Sequence, residues 1–596
     1  METTSLERLQ KQLQSGDISR RGFVRRATAM GISTAAAVMM SERTLAQDAS
    51  PSASPAGGAA SAVMTREEYE ASLQEAFAFE EPARQGGQLI QAHSSDIQTL
   101  NTVLSGDLYS AWINGFIFDT LIGGSVVDGQ TVPGIADGWD IADDGVTYTV
   151  HLHQGVTWHD GEPFTADDVV FTFDMALAED SLSPRKGTIE ESLDSYRKID
   201  EHTVEFTAKF QSAVFVTDVM GQFGIMPKHI WEDVPPADWP SDPGSTGQDP
   251  SRVIGTGSFK FVEWALGDHV TLERNPDYWD APNIPIVDTY TYQVIADQSS
   301  AIAALQTGQA DMTEIPVAQA NPLRESNPEL QIVDFDTLGF NYFITFQDPD
   351  AGLPFTDRNV RQALLYALDR DLMAETVYDG FARRADGIYS VLSIAYAPDR
   401  VNTIYTYDPD QARQLLDDAG WIEDADGIRE KDGERLSFEM YFTEGVARYE
   451  TQVPYMQQAW REVGVEMLPT AIPFPTLSEN GDAGNFEMIL QGLNGTVVGD
   501  LSILFASDRT PPDGFNKMRY SNPAFDELVE PSKRELDFDK RIDLLVEQGN
   551  IVNDDAAVGI NLFAKGIYGG APTLHNFFPN GYSNVWWITR AWLEDA

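Results

Sequence analysis

Between Thr147 and His153 apolar and polar residues alternate: Tyr148, Val150 and Leu152 fall on one side, and Thr147, Thr149, His151 and His153 on the other. A period of two predicts a half-buried strand. Helical spacing follows. Thr165 predicts an N-cap and Asp168 stands at the capping-box position. Val169, Val170 and Phe173 supply the buried side of a helix over Ala166–Leu177. Asp357 predicts a second cap, followed by Val360, Ala363, Leu364, Ala367 and Leu368 at helical spacing. At Asp408-Pro409 a good cap precedes a proline suited to the first helical position, and Gln411 completes a capping box. Ala412, Leu415, Leu416 and Ala419 make the apolar stripe of that helix, and Gly420 is its C′ residue. Gln88-Leu89-Ile90 predicts a first strand. From about Gly86 onward strands mix with helices and no internal repeat occurs, which predicts an α/β chain.

The first 46 residues read as an address. Ser19-Arg20-Arg21-Gly22-Phe23-Val24 is a twin-arginine export motif, extended by Arg25 and Arg26. The uncharged stretch Ala27 to Ser41 is shorter than the roughly 20 apolar residues that span a bilayer. Thr44-Leu45-Ala46 predicts a cut before Gln47 or Asp48, leaving 1–46 as signal peptide. Residues 47–85 are expected to be a linker and N-terminal segment. Within them Asp48–Ser61 is rich in Ser, Ala, Pro and Gly and predicts a flexible tether. No transmembrane helix is expected in the mature chain.

Composition narrows the chemistry. The chain has 596 residues, enough for several cores. Forty Lys and Arg stand against 93 Asp and Glu, a net charge of −53, which repels nucleic acid and anionic membranes. Loss of residues 1–46 makes the balance more acidic still. There is no cysteine, which excludes disulfides, thiolate metal sites, cysteine nucleophiles and a lipid-modified N-terminal cysteine. No GxSxG or phosphate-binding loop occurs, and Gly255-Thr256-Gly257-Ser258 is a lone glycine pair. His151 and His153 share a strand face, with His159 near in sequence, but a metal site needs three or four convergent ligands. Asp424-Ala425-Asp426-Gly427 has the flavour of a calcium loop without its later bidentate Glu, so a turn is expected there. No cofactor, metal or catalytic residue is expected.

Several segments resemble the extracytoplasmic solute-binding family 5. Gly138-Trp139 followed by Asp143 through Val169, with Trp158-His159-Asp160-Gly161 at its centre, is similar to the family's hairpin and its "fhDG.p.tA.DV" pattern. Gly224 through His229, Ile254 through Phe261, Glu273 through Trp279, Val360 through Arg370 and Tyr407 through Trp421 resemble further family patterns. The resemblance covers roughly Gly86 to Trp592. It implies a two-lobed clamshell: lobe I from 86–121, 252–338 and 566–596 with a subdomain at 122–251, lobe II from 339–565, and two hinge crossings near 338 and 565. A solute would bind between the lobes, and closure would present it to an ABC permease and its ATPase subunits. The chain itself is expected to be a monomer, exported to the periplasm or the outer face of the membrane and not anchored through Cys.

The resemblance also implies where ligand contacts lie. In peptide-binding members the strand matching Phe486 to Leu490 leads into a Trp-containing loop whose Asp pairs with the peptide ammonium. Here that loop holds Gln491, Leu493, Asn494, Thr496 and Asp500. Leu493 falls where Trp is common, Thr496 falls near the Asp position, and Asp500 fits the later acidic residue. Uncharged donors at 491, 494 and 496 suit hydroxyl- or amide-bearing ligands. Oligosaccharides or modified peptides therefore rank ahead of ordinary peptides, and nickel complexes lower. Ser95, Tyr109, Trp112 and Asn114, after the first strand, are the other candidates. The alternatives are a secreted hydrolase on an α/β scaffold and a sensor or folding helper using the same clamshell.

Overall fold

The structure, a computed structural model, describes residues 64–594 except Thr496, Asp513 and Asn584, and the side chains of Ala447 and Asn494. The predicted signal peptide and the Asp48–Ser61 tether lie outside the described residues. The chain forms two compact units. The first runs to Met312 and resumes at Thr573, and the second is the continuous stretch Thr313–Pro572.

The first unit opens with helix α1 (Arg66–Ala76), capped by Thr65 and Glu68 in a reciprocal capping box. Strand β1 (Gln88–His93) follows, then helix α2 (Leu108–Ile117). Strands β2 (Ala136–Ile141) and β3 (Thr147–Leu152) pair antiparallel. In β3, Tyr148, Val150 and Leu152 are buried, as the alternation predicts. Helix α3 (Ala166–Leu177) has the predicted bounds and both halves of the predicted capping box. Strands β4 (Leu193–Asp200) and β5 (Thr203–Ala208) complete a four-stranded antiparallel sheet in the order β2-β3-β5-β4. Strands β6 (Phe259–Ala265), β7 (His269–Arg274) and β8 (Thr289–Val294) form an antiparallel run, with β1 lying parallel to β8.

The sequence patterns singled out in this unit are internal fastenings. Asp168 accepts the backbone N–H groups of Thr165 and Lys228. Asp119 accepts from Thr256 Oγ1, Tyr278 Oη and Trp279 Nε1, each at 2.8 Å, which ties two separate motifs to one carboxylate. Gly255 and Gly257 lie hard against α2. A Cβ at Gly255 would stand 1.7 Å from the Ile117 carbonyl oxygen, and one at Gly257 2.3 Å from that of Phe116. Backbone cannot yield as a side-chain tip can, so Gly255→Ala is expected at the upper end of overpacking, about 3 kcal/mol. A thermal denaturation midpoint unchanged from the parent would refute this account of the motif.

The N- and C-terminal ends of the unit are sewn together. Arg590, nearly buried, makes a bidentate pair with Glu70 at 2.9 and 2.5 Å, bonds Asn283, and lies over the Phe79 ring. Leu73 of α1 packs with Val126 and Val127, with Tyr582 and Trp586 alongside.

The second unit is built on strand β9 (Gln331–Thr345). Helix α4 (Arg358–Tyr366) starts at Asp357, whose side chain accepts from Asn359. Helix α5 (Pro409–Asp418) is capped by Asp408, and Gly420 follows with φ +85°. Strand β10 (Ser437–Thr443), helix α6 (Ala447–Arg461), strand β11 (Glu466–Ile472) and strand β12 (Met488–Asn494) come next. Helix α7 (Phe538–Asp554) and strand β13 (Gly559–Gly570) complete it. The strand order is β11-β10-β12-β9-β13, parallel between β11, β10 and β12 and antiparallel across β12-β9-β13. The β9–β13 register shifts between Asp336 and Phe340, leaving a bulge at 337–339. One sheet face packs against a cluster holding Leu364, Leu416, Met456 and Trp460, and the other against one holding Ile489, Phe505 and Phe525.

Candidate functional site

In the first unit, β1 delivers His93 to the foot of α2. Tyr109 and Trp112, three residues apart on α2, meet its imidazole at 5.5 and 5.2 Å, and Tyr292 stacks on it at 4.5 Å with the rings 14° apart. Tyr109 and Trp112 touch edge to face and stay half-buried, so each keeps some ring surface for a ligand. Ser95 is exposed, and its carbonyl accepts from Tyr292 Oη at 2.6 Å. Asn114 differs from these. It is buried, and its amide donates to the Thr99 carbonyl at 3.3 Å, so it shapes the turn after β1. Sequence reasoning passed over His93. Burial pushes it down to about 3, so it is a neutral ring, and its Nε2 is buried with no partner.

In the second unit, β12 places Gln491 opposite Tyr342 and Leu493 opposite Phe340. Gln491 spends an amide hydrogen on Tyr342 Oη. Leu493 is half-buried against the cluster of Phe340 and Tyr342. Beyond β12 the Gly495 N–H bonds the Leu338 carbonyl at the bulge. Gly499 (φ +76°) presses the loop inward, where a Cβ would lie 3.1 Å from that of Ala395. Asp500 Oδ1 accepts from Ser502 N–H at 2.8 Å. Leu493 and Asp500 thus share the wall of one cavity of about 180 Å³, together with Leu338, Phe340, Ile388 and Ile503. Of the other predicted residues, Asn494 pairs with Gly339 through its backbone register, and Thr496 lies outside the described residues.

Of the histidines considered for metal, His151 is held by Asp140 at 2.8 Å and His153 by Asp137 at 2.7 Å, whereas His159 bonds the backbone of Gly255 and Gly257. Among the described residues no group of three His, Cys, Asp or Glu converges on a metal position. Asp424–Gly427 forms a turn between short strands, and Asp426 is taken by Arg435 at 2.7 Å.

The family model for bacterial extracellular solute-binding proteins, family 5 Middle, matches residues 130–512. The chain belongs to family 5. Over 454 residues this family 5 chain is 31% identical to the oligopeptide-binding protein AppA of Bacillus subtilis (strain 168), covering 76% of this chain and 81% of that one. The solved structure of AppA from Bacillus subtilis in complex with a nonapeptide matches with TM-score 0.68 and 28% identity, covering 86% of this chain and all of that one. The ABC transporter substrate-binding protein CtaP from Listeria monocytogenes matches with TM-score 0.74 and 26% identity over the same share of this chain and all of its own. The family 5 fold is that of the two-lobed periplasmic binding proteins, and the chain is an extracytoplasmic substrate-binding component of an ABC importer. Among the described residues no helix is long and apolar enough to cross a membrane.

Proposed function

We infer that this family 5 protein captures peptides with a free N-terminus and delivers them to its permease, binding without turnover. Asp500 carries the reading. It is a carboxylate in the wall of an apolar cavity, with one oxygen held by Ser502 and, among the described residues, no cation paired with the other. A ligand ammonium is the group such a site lacks. The named relative and its solved structure, which hold oligopeptides, support the same class. Polar side chains around the cavity argue against an oligosaccharide. Ser390 Oγ donates to the Thr337 carbonyl, Ser393 Oγ to that of Val497, and Gln491 to Tyr342, so they are committed within the protein. Tyr109, Trp112 and Ser95 supply the first unit's contacts to the ligand. Export by the twin-arginine route without a lipid-bearing cysteine belongs to the same reading.

A thermal-shift screen of the chain tests it, with free peptides, N-acetylated peptides and short oligosaccharides. A ligand at 100 times its Kd stabilises by about 2.7 kcal/mol. Free peptides are expected to shift the midpoint and acetylated ones not. Asp500→Asn is expected to weaken free peptides at least about tenfold and leave acetylated ones unchanged. Stabilisation by oligosaccharides alone would sink the peptide reading.

A further inference from the structure

We propose that the cavity behind the 491–500 loop is a selectivity pocket that takes a bulky apolar side chain from the first residue of the captured peptide. The proposal rests on the peptide reading above and adds which peptides are preferred. Its volume, about 180 Å³, exceeds the roughly 150 Å³ of an apolar protein cavity that binds benzene. A leucine, isoleucine or phenylalanine side chain therefore fits.

The walls decide against polar occupants. Ser390 donates to the Thr337 carbonyl and Ser393 to that of Val497, and Tyr389 donates to the Leu545 carbonyl at 2.8 Å. Among the described lining residues the remaining hydrogen-bonding group is Asp500. A polar side chain pushed into this space would lose its water without replacement, whereas an apolar one gains from leaving water. The fold also leaves two large apolar side chains of the lining unburied, Phe515 at 58% and Ile503 at 46% exposure. Apolar surface left open beside a cavity marks a place where a ligand covers it.

Position fixes which ligand residue enters. Asp500 belongs to the cavity wall itself, and the ammonium it attracts shares its Cα with the first side chain. The wall is also firm. The Gly495 N–H bond to Leu338 and the close approach of Gly499 to Ala395 and Leu545 pin the loop at both ends of the segment. A pinned wall discriminates by size, and Leu493 sets that size. An indole at 493 would project into the space that leucine leaves open.

The experiment is calorimetric titration of the chain with tetrapeptides X-Ala-Ala-Ala, where X is Gly, Ser, Lys, Leu or Phe. Leu and Phe peptides are expected to bind about 10–100-fold more tightly than Gly or Ser peptides. Leu493→Trp is expected to remove that preference by bringing the Leu and Phe peptides down to the affinity of the Gly peptide. Ile503→Ser, at an exposed position, is expected to lower the preference without filling the pocket, and covers the case in which Leu493→Trp fails to fold. Equal affinities across the series, or tightest binding for Ser or Lys, would overturn the pocket while the peptide reading stands. Folded protein that binds no member of the series would overturn both.

Discussion

Arg361→Leu is expected to destabilise the second unit by about 3–5 kcal/mol. Arg361 is only 7% exposed, yet among the described residues no carboxylate bonds its guanidinium. Five contacts to backbone carbonyls hold it instead. Nη1 donates to Phe355 and Thr356 at 2.7 and 3.3 Å, Nε to Asp555 and Ala556 at 3.2 Å each, and Nη2 to Asp555 at 2.8 Å. The first pair lies in the turn before α4 and the second just past the end of α7. One side chain thus satisfies carbonyls of two segments at once. Leucine keeps most of the packing and leaves those oxygens buried without donors, which is the costly half of the exchange. Arg361→Lys keeps the charge but not the fork, so an intermediate loss is expected. Denaturant titration followed through Trp421 and Trp460, both in this unit, reads the difference. A loss under about 1 kcal/mol for leucine would show that water replaces the guanidinium.

The second large effect is acid lability of the first unit, with His159 as its clearest source. Enclosure of the ring pushes His159 down to about 4, although the hydrogen bond to Gly257 opposes the shift. Its two nitrogens have fixed tasks: Nδ1 accepts the Gly255 N–H at 3.2 Å, and Nε2 donates to the Gly257 carbonyl at 3.0 Å. A protonated ring cannot accept, so charging it breaks the contact that holds the 255–257 turn. The folded value lies below the ordinary value near 6.5. The folded state therefore binds fewer protons, the contribution is complete above about pH 6.5, and it is lost as the pH falls toward 4. The loss amounts to about 1.4 kcal/mol per pH unit, or about 3 kcal/mol over the range. His93 acts in the same direction, with a folded value of about 3. Asp311, raised to about 6 by burial, acts oppositely over part of the range, so the comparison of variants isolates His159. His159→Gln, which supplies an acceptor and a donor at every pH, is expected to flatten the slope between pH 6 and 4 by about 1.4 kcal/mol per unit. Parallel slopes for the two proteins would remove His159 from the account.

Which parts of this molecule are legible in sequence follows from how far apart the deciding residues lie. The caps at Thr165, Asp357 and Asp408 and the alternation from Thr147 are decided within a few neighbours, and they stand where the pattern places them. Helix α1 carried the same kind of signal, Thr65 followed by Glu68, and was hidden only by the loose composition of the residues ahead of it. The cavity is of another kind. Leu338, Ile388, Leu493 and Ile503 come from four distant segments, and nothing about an isolated leucine announces that a wall is left unfilled. Asn114 shows the converse. It has the right type and the right neighbourhood, but its amide is turned inward to Thr99. His93 gave no signal beyond a lone polar residue at a strand end, and its surroundings show only in the rings of Tyr109, Trp112 and Tyr292 packed on it.

The bidentate grip of Arg590 on Glu70 has a consequence for how the protein is made. A chain leaves the ribosome from its N-terminus, and the second unit is one uninterrupted stretch, Thr313–Pro572, free to fold as it emerges. The first unit must wait, because the arginine that closes it comes after the whole of the second unit. A nascent chain that has not yet passed Arg590 therefore lacks its clasp. Closure of the first unit is thereby tied to prior synthesis of the whole second unit.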